Sequence, residues 1–206
     1  MALLPLALFF SIKKKTHGLW LLAIYLFYSI LTDLVLNKLS LKYFQSEIYS
    51  YRLFTIIEFF LLSIYLFKEL ISSNYRTFIK ISSIIFSLFV VFDIATGTLN
   101  EFDSIPTGVE SILILSSSVL LLYERIIKNE DYNVSSIWIS IGLVLFFSGT
   151  FFLFILSESN FNNSGFSKTY SYILASFKII SYCLFSVGMI FENKLPFKPY
   201  IQLQKA

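Results

Sequence analysis

The sequence predicts an all-α transmembrane bundle of seven helices, or six if the short N-terminal segment does not span. The N-terminus is expected outside and the C-terminus in the cytoplasm. Three observations lead there. The 206-residue chain is 56% hydrophobic and only 14% charged, against about 25% charged in a soluble domain. Its apolar residues fall in blocks separated by short charged or Asn/Ser-rich breaks, and the mean hydropathy is +0.74. Lys and Arg are unequally divided between alternate breaks. The alternating ten-residue segments of a membrane β-barrel are missing.

Taken in order, Met1–Ile12 is apolar and is followed by Lys13-Lys14-Lys15. A signal peptide carries its charge before the apolar core, and here it follows. Twelve helical residues reach about 18 Å, short of a ~30 Å hydrocarbon core. The segment is therefore a partial span, or the true start lies upstream. Gly18–Leu36 is a full span with Asp33 near its far end, and Asn37–Ser50 reads as a polar connection. Tyr51–Phe67 (YRLFTIIEFFLLSIYLF) spans with Glu58 inside it, and Lys68, Glu69 and Arg76 mark the turn that follows. Thr77–Thr96 spans with Asp93 near its end, and Gly97–Pro106 is an acidic loop. Thr107–Tyr123 carries Glu110 near its start and Ser116-Ser117-Ser118 in its middle. Ser135–Leu156 contains Trp138 and the run FFSGTFF; Thr169–Phe191 carries Lys178 in mid-helix. The chain reads as a single polytopic domain with no internal repeat and no segment left for a soluble domain.

Orientation follows the positive-inside rule. One set of breaks holds Lys13, Lys14, Lys15, Lys68, Arg76, Lys80, Arg125, Lys128, Lys194, Lys198 and Lys205; the other holds Lys38, Lys42, Arg52 and Lys168. The first set is expected to be cytoplasmic, in a bacterial inner membrane.

An acid inside an apolar span costs about 2.5–3.5 kcal/mol on insertion scales, so Glu58 demands compensation. At 1.5 Å per residue it lies roughly 10 Å below the outer boundary, and Lys178 roughly 13 Å below it. Asp33, Asp93 and Glu110 fall nearer that boundary, and Ser148 to Thr150 in the same half. Ser171, Ala175, Lys178 and Tyr182 share one helical face; so do Tyr51, Thr55, Glu58 and Tyr65. The expectation is an outward-facing polar pocket with Glu58 at its floor and Lys178 as its charged partner. Its candidate lining is Glu58, Lys178, Asp33, Asp93, Glu110, Ser148, Thr150 and Tyr182. The structural alternative is an ion pair fixing two helices, with acids near the boundary reaching water and mid-helix hydroxyls bonding their own carbonyls. Gly142 and Gly149, one heptad apart, read as a close-packing seam.

Composition narrows the function classes. The net charge of +3 comes without an extended basic run, so nucleic acid is not an expected partner. One Cys and one His leave no internal disulfide and no zinc-type ligand set; no metal or cofactor is expected. The leading expectation is a sensor or receptor-like module, with the bilayer around it and a separate signalling protein as partner. The alternatives are an intramembrane enzyme acting on lipid through carboxylates and a small proton- or cation-coupled transporter. A mid-helix lysine and a facing acid are also features of retinal proteins. Leu174 stands where microbial rhodopsins carry an Asp, and the Arg52–Glu58 spacing does not match their pattern.

Trp138, Gly142, Phe146, Phe147, Ser148 and Gly149 spell W-x-x-x-G-x-x-x-(Y/F)-(Y/F)-S-G. With Glu58-Phe59-Phe60-Leu61-Leu62 and Glu110-Ser111, this stretch resembles a family of small uncharacterised bacterial multispan membrane proteins. The resemblance covers most of the chain from residue 51 onward. It departs at Lys178, where that family tends to have uncharged polar residues or His. It implies a setting close to sensor kinases and carries over no catalytic residue.

Overall fold

The computed structural model describes residues 2–12, 16–44, 48–95, 104–127, 134–160 and 164–192, with side chains left aside at 44, 48–49, 104–105, 156–160 and 164–168. The Lys13–Lys15 triplet, most of the predicted acidic loop and the C-terminal tail with Pro196 and Pro199 lie outside the described residues. Among those described, all regular structure is helical: α1 (Leu3–Ser11), α2 (His17–Leu31), a π-helical turn (Thr32–Leu36), α3 (Asn37–Phe44), α4 (Ile48–Glu69), α5 (Ser73–Ala95), α6 (Ser104–Ile127), α7 (Val134–Asn160) and α8 (Ser164–Glu192).

Six of these are long and apolar enough to cross a membrane: α2 running through the π turn into α3, then α4, α5, α6, α7 and α8. The nine-residue α1 is about 14 Å long. It packs antiparallel to α2, with Phe9 edge-on to Trp20 at 4.9 Å, and lies between α2 and α8. Pro5 and Phe9 are its buried side chains, and Ala2 and Ile12 are buried at its two ends.

Local chemistry sets the helix ends. Thr16 caps α2 by accepting from the Leu19 N–H at 3.3 Å. Pro106 sits in the first turn of α6, where no helical N–H is lost. Asn37–Ser50, expected as a connection, contains no Gly or Pro, and the helix runs on through it to Phe44. The π turn arises where Thr32 Oγ1 donates to the Tyr28 carbonyl at 3.0 Å, a side-chain bond that competes with the helical ladder. The Asn37 N–H then reaches back five residues to the Thr32 carbonyl.

Neighbours in sequence are mostly neighbours in space. α7 packs extensively on α6 and α8, α4 packs on α2 and α6, and α5 lies at the edge against α6 and α4. Gly142 and Gly149 form the predicted seam between α7 and α8. A Cβ at Gly142 would lie 2.7 Å from the Phe185 ring, and one at Gly149 2.5 Å from the Phe177 ring. From α8, Gly188 closes against Ile139 and the Ser135 carbonyl.

An apolar core including Leu22, Phe59 and Phe86 is interleaved with buried polar groups, and large apolar side chains also cover the outside. Ser29, Ser111, Ser118, Ser140 and Glu110 are shut inside, while Leu88, Val91, Phe92 and Phe152 stand exposed. This is the architecture of a multi-pass helical membrane protein.

Candidate polar site between α2, α4 and α8

Polar side chains gather at two levels. At one end of the bundle, Arg125 donates to the Glu69 carbonyl at 2.6 Å and pairs with its carboxylate at 3.4 Å. Beside it, the Glu124 carboxylate accepts the Ile71 and Ser72 N–H groups at 2.8 and 2.7 Å. Those amides lead into α5, so a buried acid satisfies the turn before that helix, where its charge also suits the dipole. Arg76 closes the same turn by donating to the Leu70 carbonyl at 2.7 Å.

The second gathering begins near mid-helix and rises toward the other end, here the Asp33 end. α2 supplies Tyr25 and Ser29, and the π turn that continues it supplies Asp33, each four residues on and near one face. α4 supplies Glu58, and α8 supplies Lys178 and Tyr182. The Tyr25 hydroxyl is hydrogen-bonded to the Glu58 carboxyl. Ser29 Oγ and the Tyr182 hydroxyl share a hydrogen bond of 2.9 Å. Lys178 Nζ donates to Asp33 Oδ2 at 3.1 Å and stands 6.0 Å from the Phe54 ring centroid. Phe54 in turn stacks on Tyr28 at 5.7 Å. The levels differ in exposure. Glu58 is 5% exposed, whereas the Lys178 and Asp33 side chains are 26% and 57% exposed.

Lys178 therefore does not make the expected contact with Glu58. It lies within electrostatic range of that acid, but its ammonium is held by Asp33 one turn higher. Glu58 is met by a phenol instead. Asp93 is drawn elsewhere, into a pair with Arg52 Nη1 at 3.0 Å. Glu110 is buried in α6, within electrostatic range of Tyr25. Thr150 and Ser148 donate to carbonyls of their own helix, Phe146 at 2.9 Å and Leu145 at 3.2 Å. Those bonds follow the structural alternative for mid-helix hydroxyls.

Tyr25 and Ser29 belong to the cluster and were not among the sequence-based candidates. Their signal was present: Tyr25, Ser29 and Asp33 form a four-residue ladder leading to an acid. Arg52 was read as a connection residue and is instead a nearly buried partner of Asp93.

α2 and α8 meet at this cluster chiefly through side chains, whereas α7 and α8 pack along their backbones. Two polar bridges thus join helices whose backbones do not approach closely and which both pack on α1. Chemically, the cluster offers an ammonium, a carboxylate and two hydroxyls above a buried acid. No family model matches the chain, and no curated protein or solved structure matches it.

Proposed function

We propose that this protein is a receptor-like module of a bacterial inner membrane, with an outward-facing polar pocket between α2, α4 and α8. One observation carries the reading: α2 and α8 are bridged by the Asp33–Lys178 and Ser29–Tyr182 contacts over the buried Glu58. A partly exposed ion pair is worth about 1 kcal/mol or less, so a ligand with an anionic and a cationic group can compete for both partners. Separating that bridge moves α8, which runs unbroken to Glu192 at the opposite end. A change at the pocket thereby reaches the far membrane face, where a signalling protein would read it. The Lys/Arg distribution assigns that far face to the cytoplasm and the Asp33 end to the outside.

The test uses the native cysteine. Cys183 is exposed on α8 and follows Tyr182, so a spin label there reports the α2–α8 gap against a second label at Ile24→Cys. In lipid nanodiscs the distance distribution should broaden on Lys178→Gln. It should shift when phosphoethanolamine or amino acids are titrated onto the Lys178-containing protein. A distribution insensitive to both would exclude the receptor reading. Reporter fusions at residues 102 and 206 test orientation, with an external signal expected at 102 and a cytoplasmic one at 206.

A further inference from the structure

The α4–α6 interface carries a second polar row, which shares Glu58 with the α2–α8 cluster. In α6, Glu110-Ser111, Ser117-Ser118 and Glu124-Arg125 recur every seven residues. All six are buried. Glu124 and Arg125 reach the end of α4 and the turn after it, which fixes the face they occupy. A seven-residue step turns an α-helix by only about 20°, so the two pairs above them lie on nearly the same face. α4 answers with Glu58, Tyr65 and Glu69, spaced by seven and four residues. Tyr65 lies within electrostatic range of Glu69, Arg125 and Glu192.

Four groups of this row hold a buried oxygen that no other described residue hydrogen-bonds: Glu58 Oε1, Tyr65 OH, Ser111 Oγ and Ser118 Oγ. An unsatisfied buried polar atom is costly in a protein interior, and repeated along one row it calls for water. The spacing suits it. Measured from the Glu69–Arg125 level, their backbone positions rise by about 6 Å (Tyr65), 10.5 Å (Ser118), 16.5 Å (Glu58) and 21 Å (Ser111). Successive steps along the axis are thus about 4.5–6 Å, within the reach of short water bridges between neighbouring side chains.

We propose that the α4–α6 interface is a hydrated proton path crossing the bundle from Glu58 to the Glu69–Arg125 pair. Glu58 is the titratable relay of this path. Around it stand Tyr25 and Tyr28 from α2, Asp33 from the π turn, Lys178 and Tyr182 from α8, and Glu110 from α6 near Tyr25. A proton enters from water at the Asp33 end and is taken up by the Glu58 carboxylate. The carboxyl then gives it to a water that passes it along the Ser118 and Tyr65 hydroxyls, and a proton leaves to water past Glu69. Nothing is oxidised or reduced, and one positive charge crosses per proton.

The full chain reconstituted in liposomes with an entrapped pH-sensitive dye tests this, with a potassium gradient and valinomycin setting the voltage. Proton entry should exceed that of empty liposomes at least tenfold. It should fall to the empty-liposome rate in Glu58→Gln and by several-fold in Ser118→Val, which puts two methyl groups where the hydroxyl stood. Ser140→Ala, a buried hydroxyl of α7 bonded to the Ser136 carbonyl, should conduct like the parent. If Glu58→Gln does not fold, Ser118→Val and Tyr65→Phe, both between Glu58 and Glu69, decide. Parent flux no faster than empty liposomes would overturn the proposal, as would equal flux in the parent and the Ser118→Val protein.

Discussion

At the scale of single residues, the two ion pairs near the Asp33 end differ in what surrounds them. Arg52 and Asp93 are 10% and 12% exposed, against 26% and 57% for Lys178 and Asp33. Breaking a buried pair from one side leaves an uncompensated charge, at roughly 3–5 kcal/mol. A pair open to its surroundings costs about 1 kcal/mol or less. Arg52→Ala should therefore lower the thermal midpoint in detergent far more than Lys178→Ala; equal shifts would contradict the burial difference. Tyr25→Phe removes the phenol from Glu58 while keeping the ring, and is expected to destabilise by about 1–3 kcal/mol through the stranded carboxyl. The same substitution at Tyr182 should cost less, because a serine hydroxyl is easier to leave without its partner than a carboxyl. Chemical denaturation of the two variants side by side tests that order. The sequence made Glu58 legible because an acid inside an apolar run has an unavoidable cost. Its companion was not legible. Tyr25 looks like any aromatic on a lipid-facing helix until α2 is known to pack on α4.

Helices carry the next set of consequences. α7 and α8 close on glycines, and a side chain at Gly149 has no room beside Phe177. Gly149→Val should destabilise the α7–α8 pair by about 1–3 kcal/mol through overpacking, visible as faster proteolysis between those helices. Gly142 and Gly149 were readable as a seam because small residues one heptad apart mark close helix approach. The start of α5 rests on a residue far from it in sequence. Glu124→Ala would strand the Ile71 and Ser72 amides, at about 1–3 kcal/mol for each buried group. Glu124→Gln keeps an acceptor and should recover part of the loss, as hydrogen exchange at those two amides would report. This cap was hidden in the sequence: Glu124 falls just past the expected Thr107–Tyr123 span, and only the fold brings it to another helix. The extension of α2 to Phe44 was missed for the opposite reason. Charged residues suggested a loop where nothing breaks the helix.

For the molecule as a whole, hydropathy sufficed to find the long apolar helices, the kind a bilayer requires, with internally satisfied backbones. Which helices touch was not written in that pattern, since every span is apolar on most sides. The polar residues held this information, but as faces without partners. The π turn at Thr32–Leu36 shows what the assembled bundle adds. Such a turn holds one residue more than the α-helical ladder needs, and that surplus can migrate along a helix without unwinding it. Moved one turn toward the N-terminus, it would rotate Asp33 by about 100° about the helix axis and take its carboxylate away from Lys178. The helix would remain continuous and buried while its polar face changed neighbours. Deleting Val35 would remove the surplus, and α2 and α3 would then run as a single regular helix. In that protein the Asn37 N–H would meet the Thr32 carbonyl as an ordinary α-helical bond, so the Asn37–Ser50 hydrogen bond, 2.8 Å long here, should be kept while the α2–α8 distance no longer adjusts.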